Sequence, residues 1–231
     1  AGAFKGCPLV SVMLPFVGEN RNVSETVSAT GSYNSIGSST LFGYIFGGET
    51  WNTGSSSTPT STTEKIYQGQ GYYYKQYASY YWTWYCIPLT LKTVVITDAT
   101  GISANAFYGC TMIESLTLNE GITVIYDRAF YNCSALKSMV LPSSVTEVGS
   151  YAFYGCSNMA SITLSNLTKI NDYTFYNCSS LTSITLPTTL TEIGSNAFRG
   201  CSLLEGITIP NTVASIGHYA FSGCKGIAEI S

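Results

Sequence analysis

The chain has 231 residues, only 10% of them charged, a net charge of −3 and a single histidine. No basic stripe is present to neutralise phosphates, which argues against nucleic acid as a partner. No stretch approaches 18 apolar residues, so no segment reads as a membrane span.

Residues 1–15 hold Ala3, Phe4 and Cys7, followed by Leu9, Val12, Leu14 and Pro15. The same order returns from residue 91 onward, so this opening reads as a partial N-terminal repeat. Residue 1 already lies inside that repeat, which suggests a segment of something longer.

Residues 16–90 break the period, and the pattern resumes at Leu91, Val94 and Ile96. An insertion that leaves and rejoins neighbouring coils must have its ends close together. Residues 19–40 are polar. The run Leu41-Phe42-Gly43-Tyr44-Ile45-Phe46-Gly47 is apolar and predicts a strand or helical turn packed on the solenoid end. Residues 52–63 are Ser/Thr-rich around Pro59 and predict a mobile loop.

Residues 67–85 hold eight tyrosines and two tryptophans. Tyr72, Tyr74, Tyr80, Trp82 and Trp84 share one parity; Tyr73, Tyr77, Tyr81 and Tyr85 share the other. As a strand, this run carries rings on both faces. One face can pack on the solenoid, while the other would form a contiguous aromatic surface, unusual in a monomer. Such rings suit protein contacts or stacking on sugars. The alternative is that all of them pack within the lobe.

Residues 91–231 are periodic. Phe107, Phe130, Phe153, Phe175, Phe198 and Phe221 are 23, 23, 22, 23 and 23 residues apart, and each is followed three residues later by a cysteine. A period in the low twenties marks a solenoid whose units contact only their neighbours. In the unit from Cys178 to Cys201, Leu181, Ile184 and Leu186 form L-x-x-I-x-L, with Ile184 and Leu186 on one face of a short strand. Pro187 limits the strand because it has no N–H. Leu190 and Ile193 make a second apolar pair, Gly194 suits a turn with positive φ, and Ala197, Phe198 and Cys201 form the back. About six such units at about 4.8 Å each predict a rod about 30 Å long. The fold class is an α/β-type solenoid, mainly β, with a parallel sheet on one face.

This pattern closely resembles the BspA-like, Treponema-type leucine-rich repeat, over residues 91–231 and again in the "AFxxC" of residues 3–7. The family occurs mostly in bacterial surface and secreted proteins, and the resemblance implies adhesion to host proteins or other cells. Abundant Ser, Thr, Tyr and Gly with little Lys and Glu points the same way, to an extracellular location.

The eight cysteines admit a disulfide reading. Stacking instead places seven of them in one inward row. Neighbouring Cα atoms then approach to about 5 Å, but parallel side chains do not supply a disulfide's dihedral angle. Reduced, buried thiols are the expectation. His218 lacks partner ligands, so no metal is expected, and no cofactor motif appears. With one histidine and scattered carboxylates, no nucleophile has a base at hand, so catalysis is not expected.

Two functions compete. One is a binding module for a protein or glycan on another cell or host surface. It would use Tyr72, Tyr74, Tyr80, Trp82 and Trp84 of the insertion, together with the outward strand row Thr117, Val140, Thr163, Thr185 and Thr208. Within the sequence, the insertion is the place where large aromatics exceed the needs of a small core. The other is a structural protein that stacks with further copies of itself, head to tail, into a surface filament.

Overall fold

The computed structural model describes residues 9–15, 48–52, 65–76, 79–88, 90–164, 166–227 and 229–230. The expectations for residues 1–7, 19–40, 41–47 and 53–63 lie outside that set. Strand β1 (Ser11–Leu14) is followed by three strands of the insertion: β2 (Gly48–Asn52), β3 (Lys65–Gln76) and β4 (Ser79–Pro88). From there the chain alternates between two kinds of short strand. They are β5 (Thr93–Ile96), β6 (Gly101–Ile102), β7 (Ser115–Thr117), β8 (Val124–Ile125), β9 (Ser138–Val140) and β10 (Glu147–Val148). Then come β11 (Ser161–Thr163), β12 (Lys169–Ile170), β13 (Ser183–Thr185), β14 (Glu192–Ile193), β15 (Gly206–Ile207), β16 (Ser215–Ile216) and β17 (Glu229–Ile230).

The odd-numbered strands from β5 on, with β1, form the front of the solenoid. They pair in parallel as β1-β5-β7, β9-β11-β13 and β15-β17. Between these groups the coils stay bonded, Lys137 N–H donating to the Glu114 carbonyl at 3.2 Å and Glu205 N–H to Thr182 at 3.2 Å. The front strands β7, β9, β11 and β13 each bury their middle residue and expose the two flanking ones, because neighbouring side chains on a strand alternate faces. The second apolar pairs do more than fill space. Their strands build a second parallel ladder, β6-β8-β10 and β12-β14-β16.

No described residue is helical. At the back of each coil, alternate amides serve two purposes. Arg128, Phe130 and Asn132 donate to Ser150, Ala152 and Tyr154 of the next coil, while Ala129, Tyr131 and Cys133 donate three residues back within their own turn. Every turn amide named here is thereby satisfied, as burial demands. The turn requires two left-handed residues, which Gly109, Asn132, Gly155, Asn177, Gly200 and Gly223 supply at one position. Gly194, expected at positive φ, is not among them. It is glycine because a Cβ there would meet the Asp172 backbone N at 2.7 Å and the Asn171 carbonyl carbon at 2.7 Å.

The core is one continuous column. Phe107, Phe130, Phe153, Phe175 and Phe198 are fully buried and stack with centroids 5.2–5.6 Å apart. Phe221 stacks on Phe198 at 5.3 Å and is half-buried. Ile87, at the end of β4, is fully buried in this same cluster, so the last strand of the insertion is anchored where the solenoid resumes. β16 pairs only with β14 among the described residues, and its Ile216 is 48% exposed. Among the described residues no helix is long and apolar enough to cross a membrane.

Candidate functional site

Three surfaces are built on this frame. The first is the front sheet. Register aligns Ser138, Ser161 and Ser183 in one outward row and Val140, Thr163 and Thr185 in another. Thr208 follows β15 directly and is exposed like Thr163 and Thr185. The face is uncharged along these rows, and Val140, 69% exposed, interrupts the hydroxyls. Thr185 and Thr208, with Leu186, Thr188 and Pro210, line an open depression of about 470 Å³. Hydroxyls and methyls at strand spacing can bond a partner but cannot generate a nucleophile.

The second is the insertion. β1 pairs with β5 in register, Ser11 with Thr93 through Leu14 with Ile96. The chain therefore leaves one front strand and returns to the adjacent one. Within the excursion β2, β4 and β3 form an antiparallel sheet in that order. The run of aromatics is thus not one strand but two, and this divides the residues that share a parity in the sequence. Tyr72 pairs with Tyr81, whereas Trp82 pairs with Gly71 and Trp84 with Gly69. Directly paired residues of an antiparallel ladder share a face, so the register sets Tyr72 on the face opposite Trp82 and Trp84. Tyr80, two residues before Trp82, and Tyr74 lie at the register shift between Tyr72 and Gln76. On its other side β4 meets β2, with Trp82 opposite Trp51 and Trp84 opposite Glu49.

The third is the interior thiol row. Cys110, Cys133, Cys156, Cys178 and Cys201 are buried and free, and Cys224 is free and half-buried. Each thiol from Cys133 onward donates to the carbonyl of the phenylalanine in the preceding coil. Cys133 reaches Phe107 at 3.1 Å, Cys156 Phe130 at 3.3 Å, Cys178 Phe153 at 3.2 Å, Cys201 Phe175 at 3.2 Å and Cys224 Phe198 at 3.0 Å. The row is a structural hydrogen-bond ladder. Burial pushes the Cys156 thiol up to about 12 and also raises Cys110, Cys133 and Cys178 above the ordinary thiol value. Cys224 shifts the other way, because its thiolate would accept from the Cys201 thiol. In the folded protein at pH 8, iodoacetamide is expected to modify Cys224 well before Cys133, Cys156 or Cys178, since the thiolate is the reactive form. Peptide mapping after timed alkylation reads this order, and equal rates would place the row outside the core. Among the described residues no group of His, Cys, Asp or Glu is arranged to hold a metal ion.

A sequence profile of the BspA type leucine rich repeat region matches residues 100–228 in six copies, more than half of the chain. The chain belongs to the BspA-type leucine-rich repeat family. Among solved structures it is similar to the Treponema pallidum leucine-rich repeat protein TpLRR, with 32% identity over 60% of this chain and 57% of that one, at a TM-score of 0.48. A Eubacterium ventriosum leucine-rich repeat protein is 24% identical over 63% of this chain and 40% of its own, at a TM-score of 0.56. A leucine rich cell surface protein of Faecalibacterium prausnitzii is 23% identical over 61% and 53%, at 0.37. The Eubacterium likeness supports the fold. The chain spans about two to three fifths of the length of these solved relatives. No curated protein matches significantly.

These BspA-type coils also carry rows that the sequence reading missed. The residue after each of Phe107, Phe130, Phe153 and Phe175 joins a column: Tyr108, Tyr131, Tyr154 and Tyr176 stack at 4.5–4.7 Å with planes within 3°. Beside it Tyr151 stacks on Tyr173 at 4.6 Å. Large aromatics outside the core are therefore not confined to the insertion. The signal was present as the tyrosines of "AFYGC", "AFYNC", "YAFYGC" and "YTFYNC", but a repeat consensus reads those positions as variable turn.

Proposed function

We propose that this chain is a non-catalytic binding module of a bacterial surface protein. It engages a protein or glycan through the inserted aromatic strands β3 and β4, aided by the front row of Thr163, Thr185 and Thr208. One observation carries the reading: β1 and β5 are bonded neighbours although the insertion lies between them. The insertion therefore adds to a rigid scaffold without interrupting its sheet, the arrangement in which loops commonly bear function. Tyrosine and tryptophan at Tyr72, Tyr74, Tyr80, Trp82 and Trp84 supply rigid amphipathic contact area at low entropic cost. The surface location rests on family membership and on the relative described as a cell surface protein.

The test replaces residues 19–85 with a short Gly-Ser linker, keeping β1, Ile87 and β5. Because the front ladder joins β1 directly to β5, the trimmed solenoid is expected to fold. It is expected to lose binding on a glycan array and to immobilised host-cell glycoproteins by at least about tenfold, the effect of removing a small cluster of anchor residues. A folded variant that binds at full strength would assign the insertion a purely structural part.

A further inference from the structure

All three tryptophans of the chain fall on one face of the insertion's sheet. The register sets Trp51 opposite Trp82 and Trp82 opposite Gly71. In the adjacent row on that face, Glu49 lies opposite Trp84 and Trp84 opposite Gly69. Directly paired residues share a face, and so do residues two apart on one strand. These six residues therefore form one patch. The other face carries Gln68, Gln70 and Thr83 by the same register. Ile87 has the parity of Thr83, and it is fully buried in the solenoid core. The contact that anchors β4 to the core thus belongs to the face without tryptophan.

The glycines are a second, independent observation. Glycine inside a strand weakens it, and it marks a place where a ligand or another backbone comes close. Gly69 and Gly71 stand in register with two tryptophans, on β3, an edge strand among the described residues. With no side chain at either position, the edge of the sheet is bared beside both tryptophan positions.

Charge selects the ligand class. Glu49 brings one carboxylate to this face. Lys65, paired with Pro88 and of the same parity as Gly69, brings one ammonium. The face has no net charge, so it favours neither an anion nor a cation. It combines large apolar rings with an acceptor and a donor. That set fits a neutral ligand with a flat apolar body and hydroxyls that both donate and accept. A gluco-configured pyranose is such a body: its ring hydroxyls are equatorial, so axial C–H bonds make both ring faces apolar. A β-1,4 linkage keeps successive rings extended, as the strands beneath them are.

We propose that this tryptophan–glycine face binds a β-1,4-linked chain of glucose or N-acetylglucosamine units, with Trp51, Trp82 and Trp84 as stacking residues and Glu49 as a hydroxyl acceptor. The inference rests on the reading of the insertion as the binding element and narrows it to one face and one ligand class.

Tryptophan emission of the full chain reads this face directly, because the chain has no tryptophan elsewhere. Titration with cellohexaose or chitohexaose is expected to shift the emission and saturate. Maltohexaose, α-linked and coiled, is expected to bind about tenfold more weakly or worse. The double variant Gly69→Thr/Gly71→Thr places strand-favouring side chains beside the tryptophan positions. It is expected to lose affinity about tenfold or more, with its thermal midpoint unchanged or higher. Saturation with neither β-linked hexasaccharide, equal affinity for maltohexaose, or full affinity in the double variant overturns the proposal. So does a double variant whose midpoint falls along with its binding, which would assign the glycines to the fold. If neither sugar saturates while removal of residues 19–85 still abolishes binding to host-cell glycoproteins, the insertion remains the binding element and the sugar assignment alone falls.

Discussion

Phe153→Ala is expected to lower the unfolding free energy by about 3–5 kcal/mol, the range for truncating a large core residue. Phe153 is fully buried and lies between two stacked rings, Phe130 at 5.2 Å and Phe175 at 5.6 Å. Both contacts disappear together, and the cavity cannot collapse, because the interlocked amide ladder of the back turns holds the coils at a fixed rise. Its carbonyl also accepts the Cys178 thiol at 3.2 Å, so any relaxation of the turn carries a further cost. Phe221, half-buried and stacked on one side only, is the internal comparison, and Phe221→Ala should cost less than about half as much. Urea denaturation of the two variants measures the difference. A loss below about 1 kcal/mol for Phe153→Ala would remove that residue from the core.

A second large effect is expected at alkaline pH. Cys110, Cys133, Cys156 and Cys178 have thiol pKa values raised above their ordinary 9.0, by burial first and by neighbouring thiols in Cys133 and Cys178. Raised groups keep their protons when folded and release them when unfolded. Their stabilising contribution is therefore complete below pH 9 and is lost as pH rises toward the folded values. Each such thiol forfeits about 1.4 kcal/mol per pH unit in that window, and four together roughly 5 kcal/mol. Most of a typical domain's stability would vanish by about pH 10. Unfolding free energy measured at pH 8, 9 and 10 reads the slope. Cys178→Ala should reduce it by one proton's worth while lowering stability at pH 8. A flat profile would show that these thiols are not buried in the native state.

Much of this molecule was legible in one dimension. The spacing of Phe107 through Phe221 determined the coil, its rise and its core, because a solenoid's contacts are all between equivalent positions one period apart. Ile184 and Leu186 inward with Thr185 outward followed from strand alternation alone. The cysteine row was likewise readable as buried and reduced. Lost periodicity over residues 16–90 set the expectation of an insertion, and the pairing of β1 with β5 makes the strands before and after it neighbours.

Other features needed the third dimension. The parity of Tyr72 and Trp82 misled, since a sequence cannot show where a run of aromatics folds back, and the antiparallel register of β3 and β4 set the two on opposite faces. Positive φ belonged to Gly200 and not to Gly194, because the turn's handedness is set by which amides reach the next coil. The thiol-to-carbonyl bonds join residues 25 or 26 apart, an offset longer than the period that repeat spacing does not reveal. The tyrosine columns depend most on structure. Tyr108, Tyr131, Tyr154 and Tyr176 look like unremarkable turn residues one by one. They become a continuous surface only because parallel stacking brings equivalent positions within one ring thickness of each other.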